Sequence, residues 1–412
     1  MKILSRLLLT VVLAAGLTTG LFANGLNLNG NGGKANAMGG AFVGLANDFS
    51  ASYWNPAGLA LMTKASFSLY GSDILPFGTY QFDTAGIDAK SDFKHYLIPG
   101  LGYYQPIGEK IVIGVYLYAP SGAGSVWDGE DLAPLVGGVY DWYSKLGIFT
   151  ISPSISVKLT EQIMIGATAD INYGMLKMQQ PVEGLGQYSE DLKGWALGAT
   201  FGLLVKPVKE FSFGVTYKLP FTAKLKGDVE IPAAEGLGLP PADTGTREAT
   251  WPMWLAGGIA VKPIDGLTLT ADVQYTNWKK LQDIPVTFSH PGWQAFFAEG
   301  AAYQLLWKDT TQFRFGVEYM AAKSLALRAG YYFDPNPGPI STQNILLPEF
   351  KYHWVTLGFG YTSEKIIVDF SLEYGMGKDI EVGLADYVPG QNMPGIHGMQ
   401  IVCPSLSFTY RF

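Results

Sequence analysis

Hydrophobic and polar residues alternate along much of the chain with a period of two. The stretches FRFGVEYM (313–320), LTLTADVQY (267–275) and IVDFSLEY (367–374) each place apolar side chains at every second position. This period predicts β-strands, because successive side chains of a strand point to opposite faces. An apolar face is compatible with a soluble sandwich or with a strand that faces lipid. The other face is polar, glycine-rich and sometimes charged, which is typical of the inside of a barrel.

About fourteen such segments follow one another from residue 65 to residue 412, and their connections alternate in length. The short connections read PIGE, LTEQ, KPVKE, KPIDG, AAKS and TSEK. The long ones cover roughly residues 76–92, 121–144, 181–187, 230–245, 282–308, 335–349 and 381–397. An outer-membrane barrel has short periplasmic turns and longer extracellular loops, whereas a soluble sandwich has no reason to alternate in this way. We therefore predict an all-β fold, a transmembrane antiparallel β-barrel of about fourteen strands.

The chain opens with a basic and then an apolar segment, residues 1–23, that has the pattern of a secretory signal peptide. Residues 24–64 are rich in Gly, Asn and Ala and are too few to fold alone. Within them Asn55, Pro56 and Ala57 form a helix start, because Asn accepts from the first amides and Pro needs no N–H there. A barrel with an empty lumen would be an open channel. We therefore predict that residues 24–64 form a plug, or hatch, inside a barrel made by residues 65–412.

Composition narrows the class of function. Charged residues make up 15% of the chain, and the net charge is −7, or about −9 once Lys2 and Arg6 leave with the signal peptide. No basic cluster is present, which argues against nucleic-acid binding. The single cysteine, Cys403, cannot form a disulfide framework or a thiolate metal site. The spacing of the 4 histidines fits neither a zinc site nor a nucleophile, so we predict no metal, no cofactor and no enzymatic activity.

Four parts of the chain also carry a family likeness. They are GGAFVGLANDFSASYWNPAGLA (39–60), ISPSISVKLTEQIMIGATADINYG (151–174), LTADVQYTNW (269–278), and LWKDTTQFRFGVEYM followed by LRAGYYFDPNPGP (306–339). In this order they resemble segments of the FadL/TodX outer-membrane transporters of long-chain fatty acids and aromatic hydrocarbons. The resemblance implies a monomeric fourteen-strand barrel with a hatch that carries Asn55, Pro56 and Ala57. It also implies passive uptake of hydrophobic molecules, which leave sideways through the wall at a kinked third strand.

The resemblance further points to basic residues near the ends of the fifth and tenth strands, where a ligand carboxylate would bind. Lys177 and Lys308 stand at these places in this sequence, and Arg314 is nearby. Arg314 shares the lumen-facing parity with Glu318. A network of salt bridges that holds the plug to the wall is therefore the alternative to carboxylate binding.

The connection HPGWQAFFAEGAAYQLLWKD (290–309) is unusually apolar for a loop that faces water and lipopolysaccharide. Its Phe296, Phe297 and Trp307 predict a surface that captures apolar ligands. A loop helix packed on its neighbours is the alternative.

The stretch LYAPSGAGS (117–125) ends the predicted third strand. Pro120 cannot donate to a strand ladder, and Gly122 and Gly124 tolerate unusual backbone geometry. We predict a lateral opening of the wall at these residues, although the start of a loop would look the same.

Together with the family resemblance, these patterns predict passive uptake of hydrophobic compounds through the outer membrane of a Gram-negative bacterium. Long-chain fatty acids are the predicted ligand, and aromatic hydrocarbons or alkanes are the alternative. A porin for polar solutes and a barrel that hydrolyses lipid are alternatives of other classes. The predicted partners are these small molecules, membrane lipid and lipopolysaccharide, and the barrel-assembly machinery. The last residues of the chain, LSFTYRF, resemble the C-terminal signal that this machinery reads.

Overall fold

A computed structural model describes residues 25–412, so the predicted signal peptide, residues 1–23, lies outside the described residues. Antiparallel strands close into one barrel, because the first strand pairs with the second on one side and with the last on the other. The strands are β1 (Ser66–Phe82), β2 (Tyr96–Ile107), β3 (Ile111–Trp127), β4 (Trp142–Lys158), β5 (Ile163–Val182), β6 (Gly186–Val208), β7 (Phe211–Lys218 and Phe221–Glu230), β8 (Ala242–Trp251 and Trp254–Ile264), β9 (Leu267–Thr276), β10 (Thr310–Ala322), β11 (Leu325–Asp334), β12 (Tyr352–Thr362), β13 (Ile366–Gly377) and β14 (Gly395–Arg411). The predicted fold class is confirmed.

Two strands are interrupted at the same level of the sheet. Pro220 divides β7 and Pro252 divides β8, and Trp251 opposite Phe221 is the last pair above the interruption. Proline has no N–H to donate to the strand ladder, so each strand is interrupted where the chain has a proline.

The two faces of the barrel follow the alternation in the sequence. In β12, Leu357 and Phe359 are 59% and 46% exposed, whereas Thr356, which directly precedes Leu357, is fully buried. In β10, Phe315 is exposed and Arg314 is buried. The apolar face therefore points out to lipid and the polar face points into the lumen.

Helices and short strands lie in the plug and the connections. The α-helices are α1 (Gly33–Ala37), α2 (Ala51–Trp54), α3 (Gly129–Val136) and α4 (Pro291–Phe297), and the 3-10 helices are Pro56–Leu61, Asp83–Ala85, Pro232–Leu237, Trp278–Lys280, Ile340–Thr342 and Leu384–Asp386. The short strands are Ile87–Lys90, Asp283–Ile284, Val286–Phe288, Tyr303–Gln304 and Ile380–Val382. None of the helices between residues 25 and 412 is long and apolar enough to cross a bilayer.

Some strands are longer than the sequence predicted. β1 was predicted over 65–75 but continues to Phe82, because it pairs there with Ile87–Lys90 and with β14. The connection predicted over 121–144 is shorter, because β3 continues to Trp127. Pro120 does not end β3, since a register shift against β4 between Tyr118 and Ser121 accommodates it.

The chain before β1 lies inside the barrel. Nearly all residues from Leu26 to Leu59 are buried, and α1 contacts β12, β13 and β14 while the 3-10 helix Pro56–Leu61 contacts β5 and β6. The segment thus touches opposite parts of the inner wall.

Candidate functional site

The Asn55-Pro56-Ala57 motif attaches the plug to the inner wall. Asn55 is fully buried, and its Oδ1 accepts from Ala57 N at 3.2 Å, which caps the 3-10 helix that begins at Pro56. Its Nδ2 donates to Val43 O at 2.9 Å inside the plug and to Leu203 O at 3.0 Å in β6. One side chain therefore caps a helix and joins two parts of the plug to the wall.

Glycines of the wall make room for the plug backbone. A Cβ at Gly202 would collide with the amide oxygen of Asn55, and a Cβ at Gly214 would collide with Val43 O. The same is true just after α1, where a Cβ at Gly330 would collide with Gly39 N. Wall glycines that the plug approaches in this way are Gly166, Gly202, Gly214, Gly258, Gly316, Gly330 and Gly358. The glycine-rich lumen face is thus a docking surface for the plug.

Buried charges supply further contacts between plug and wall. Asp272 of β9 accepts from the backbone N–H groups of Phe42 and Val43, both at 2.8 Å. Arg328 of β11 pairs with Glu318 at 2.7 Å, and Glu318 in turn receives Lys34 of α1 at 3.1 Å. These buried, hydrogen-bonded pairs fix the plug in one orientation.

The wall has a gap between β2 and β3. The ladder between them runs from Ile107 opposite Ile111 only as far as Leu101 opposite Leu117. Above it, both strands continue but do not pair, and within residues 25–412 the next backbone pairing on this side of β3 is the bridge from Ser91, which precedes β2, to Trp127. The edge of β3 over residues 118–125 therefore lacks β2 as its strand partner.

The N-terminal segment of the plug occupies this edge. Leu28 N donates to Pro120 O and Gly122 N donates to Leu26 O, both at 3.0 Å, so that Asn27 faces Ser121 as in a short antiparallel ladder. Residues 26–28 take the place of β2 from the lumen side. The predicted opening residues Pro120, Gly122 and Gly124 thus lie at a real discontinuity of the wall, although the opening itself stays a prediction.

A cavity of about 270 Å³ lies beside this contact. It runs between the plug segment, the gap and the extracellular side of β12 and β14, and its lining includes Asn27, Leu28, Ile98, Gly122, Gly124, Phe350, Tyr352, Trp354, Ile401 and Cys403. Outward-facing residues such as Leu97 and Phe149 also border it. The cavity therefore extends from the lumen through the gap towards lipid.

The inner lining is mainly aromatic. Phe350, Tyr352 and Trp354 contact one another in sequence, with ring centroids 6.0 and 5.7 Å apart. The buried Trp354 Nε1 has no hydrogen-bond partner among residues 25–412. Burial, with a contribution from the nearby Asp334 carboxylate, raises the pKa of Glu349 well above its usual range. A raised pKa favours the protonated, neutral form of this carboxyl, so burial disfavours a fixed negative charge in this wall.

The three predicted cations do not come together at the cavity. Arg314 donates to Asn29 O at 3.1 Å and to Gly39 O at 3.0 Å, so it binds the plug. Lys177 faces outwards from β5 and pairs with Asp191 at 2.5 Å, and Lys308 is exposed in the connection before β10. Their role in carboxylate binding stays a prediction.

The apolar loop divides into exposed and buried parts. Phe296 is 67% exposed, whereas Phe297 and Trp307 are buried in an apolar cluster that fills the extracellular end of the barrel. Trp307 packs against Trp278 with ring centroids 4.9 Å apart. Phe296 can contact a ligand from outside, and the two buried rings support the loop.

Sequence reasoning missed the inner aromatic lining and the plug segment at the gap. Tyr352 and Trp354 share the lumen-facing parity of β12, and that parity could have identified them. The pairing of residues 26–28 with β3 joins distant parts of the chain, and a local pattern carries no signal for it. Within residues 25–412 no group of His, Cys, Asp or Glu could hold a metal ion.

The sequence model of the family described as "Outer membrane protein transport protein (OMPP1/FadL/TodX)" matches residues 12–412. The chain belongs to this family. Relatives include Outer membrane protein P1 of Haemophilus influenzae, 22% identical over 84% of this chain and 85% of the relative. They also include the Long-chain fatty acid transport protein of Salmonella typhi, 22% identical over 91% and 93% of the two chains. Like them, this OMPP1/FadL/TodX protein is a protein of the outer membrane.

Solved structures share the fold of this family member. A Pseudomonas aeruginosa FadL homologue superposes with a TM-score of 0.77 over 94% of this chain and all of the other, at 18% identity. The P. putida toluene transporter TodX gives a TM-score of 0.73 over 94% and 99% of the two chains, also at 18% identity. At these identities the similarity establishes the barrel fold.

Proposed function

We propose that the protein takes up hydrophobic compounds passively through the outer membrane and releases them sideways through the gap between β2 and β3. A ligand is captured by the extracellular loops, with Phe296 as an exposed contact, and enters the cavity beside the plug. It then leaves past Gly122 and Gly124 once the plug segment 26–28 moves aside. No energy source is needed, because the route as a whole transfers the apolar surface of the ligand from water to the membrane.

One observation carries this proposal. The backbone of β3 at Pro120 and Gly122 bonds to Leu28 and Leu26 of the plug instead of to β2. Ser121 Oγ also donates to Asn27 Oδ1 at 3.3 Å, and displacing three hydrogen bonds costs about 3 kcal/mol, less than breaking a continuous strand ladder. The contact therefore has the strength expected of a gate.

The chemistry of the cavity favours an uncharged ligand, such as an aromatic hydrocarbon. Its inner wall is formed by Phe350, Tyr352 and Trp354, and no lysine or arginine among residues 25–412 lines this inner part. Two proteins of similar structure, a toluene transporter and a monoaromatic hydrocarbon channel, support this choice.

Long-chain fatty acids are the second candidate, and they stay a prediction. Lys145 borders the outer end of the cavity, where a carboxylate could be received at the membrane surface while the chain lies inside. The relatives named long-chain fatty acid transport proteins support this reading. Lys145→Ala should then weaken oleate binding about tenfold or more and leave toluene binding unchanged. If Lys145→Ala and the unchanged protein bind oleate equally well, long-chain fatty acids are removed as a candidate ligand.

Filling the gap tests the route itself. Gly122→Trp places a large ring where a Cβ has room, about 3.5 Å from Leu28 and Leu146 O. Gly71→Trp is the matched control, because Gly71 lies in β1 with no atom near its Cβ position. Uptake of radiolabelled toluene and oleate into cells should fall strongly with the first variant only. Undiminished uptake through Gly122→Trp would contradict lateral release.

Insertion by the barrel-assembly machinery through β14, function as a monomer and the absence of enzymatic activity are part of the same proposal. The apolar outward residues at the end of the chain, such as the exposed Leu406 and Phe412, support the first of these.

A further inference from the structure

Four lysines lie together on the outer surface of adjacent strands. Lys145 of β4, Lys177 of β5, Lys193 of β6 and Lys226 of β7 all share the outward parity of their strands. They stand near the extracellular ends of these strands, above the lipid-facing residues. We name these four residues the outer lysine patch.

The strand register sets these lysines directly against one another. Lys145 is opposite Lys177, and Lys193 is opposite Lys226. Like charges at directly opposed positions of an antiparallel pair destabilise the sheet. Asp191 stands between the two pairs, opposite Lys177 in the register, and offsets part of this repulsion.

The carboxylates nearby neutralise the patch only in part. Asp191 pairs with Lys177 at 2.5 Å and with Lys193 at 3.2 Å, and Asp228 faces Asp191 across the ladder. Lys145 and Lys226 form no ion pair with any residue from 25 to 412. Two ammonium groups of the patch thus remain available to an external anion.

An aromatic row and an apolar groove lie immediately below. Phe149, Tyr173 and Trp195 are neighbours across β4, β5 and β6, as in an interfacial aromatic girdle. They form one side of a groove of about 600 Å³, whose other side includes Leu101 and Leu117 of β2 and β3. The groove opens to the lipid-facing surface, and its lining is almost entirely apolar.

We propose that the outer lysine patch and this groove form a binding site for a phosphorylated, multiply acylated glycolipid of the outer leaflet. The lysines bind its phosphate groups, and the groove takes one acyl chain. Each part is placed where the membrane presents the matching chemistry, with anionic groups at the surface and acyl chains below the aromatic row. The bound phosphate also relieves the repulsion within the two lysine pairs.

The groove also borders the gap, so a transported compound is the competing occupant. Unlike the lipid, a transported compound would need no phosphate group to bind. Lys193 and Lys226 do not line the cavity, which makes them suitable for a test that leaves transport intact.

Native mass spectrometry of the purified full-length protein in detergent tests the site. The protein is titrated with bisphosphorylated lipid A, with dephosphorylated lipid A and with the water-soluble deacylated disaccharide bisphosphate. Lys193→Gln combined with Lys226→Gln removes two charges from the patch. Lys209→Gln combined with Lys262→Gln removes two charges at the periplasmic turns and is the matched control. Heat-modifiable gel migration verifies that each variant is folded.

We expect the bisphosphorylated lipid to bind at least tenfold more tightly than either comparison ligand. The patch variant should bind it about thirty-fold more weakly, since each lysine near an anionic lipid contributes about fivefold. The control variant should bind like the unchanged protein, and toluene uptake should be unaffected in both. Equal affinity for the two lipids, an unchanged patch variant, an equally weakened control, or displacement of the lipid by inorganic phosphate would overturn the proposal.

Discussion

Asn55→Ala is the substitution that most directly tests how the plug is held. The change removes the cap on Ala57 N and two donated hydrogen bonds, to Val43 O and to Leu203 O. The side chain is fully buried, so water does not replace these bonds while the plug is closed. Only the bond to Leu203 crosses directly from plug to wall, but the other two keep the motif in the shape that docks.

The expected magnitude follows from these three contacts. Loss of an N-cap costs about 1 kcal/mol, and each further hydrogen bond contributes about 1 kcal/mol. Loss of the bond to Leu203 alone costs the docked plug about 1 kcal/mol relative to a displaced one, and the loss reaches about 3 kcal/mol if the two bonds inside the plug form only on docking. At about 1.4 kcal/mol for each factor of ten, the displaced population rises about fivefold to a hundredfold.

Single-channel conductance across planar bilayers reports the displaced plug as ion leakage. Asn172→Ala is the matched control, since Asn172 is buried in β5 and bonds to Thr150 and Asp170 of the wall. We expect frequent openings with Asn55→Ala, few with Asn172→Ala, and folded barrels in both. If Asn55→Ala leaks no more than the control, the plug is not held by this motif and the reasoning fails.

Three further predictions concern other parts of the molecule. Arg314→Ala should also increase ion leakage, because Arg314 holds plug carbonyls, and a silent channel in bilayer recordings would contradict that role. Phe296→Ala should slow toluene uptake with the unfolding free energy changed by less than about 0.5 kcal/mol. Phe297→Ala should lower that free energy by about 3–5 kcal/mol. The pKa of Glu349 is raised in the folded state, so the contribution of this carboxyl to stability is complete below about pH 4.5 and is lost as pH rises. The melting temperature of Glu349→Gln should therefore fall less with rising pH than that of the unchanged protein. Parallel curves of melting temperature against pH would refute this.

The alternation of side chains was sufficient to predict the barrel and its two faces. Arg314 and Glu318 were expected in the lumen, and both are buried there. Parity also places Lys177 on the face of Ile171 and Tyr173, which points to lipid. The prediction that Lys177 faces a ligand rests on the family resemblance and not on the alternation of side chains in β5.

The gap in the wall could not be predicted from local patterns. Pro120 and the nearby glycines indicated a disturbance, but β3 continues through it to Trp127. Whether β2 still pairs with β3 there depends on strand register and on residues 26–28, which are far away in sequence. Such pairing is set by the closed barrel as a whole and leaves no period in the sequence.

Release through the gap is the central claim, and a reversible lock on the plug segment tests it most directly. Asn27 and Ser121 face each other as a non-hydrogen-bonded antiparallel pair, whose typical Cα separation of about 4.5 Å suits a disulfide. The pair Asn27→Cys and Ser121→Cys is introduced with Cys403→Ser, and each single cysteine variant is the control. Toluene uptake should stop on oxidation of the double variant and return on reduction. Equal uptake by the oxidised and reduced forms would contradict a gate formed by residues 26–28.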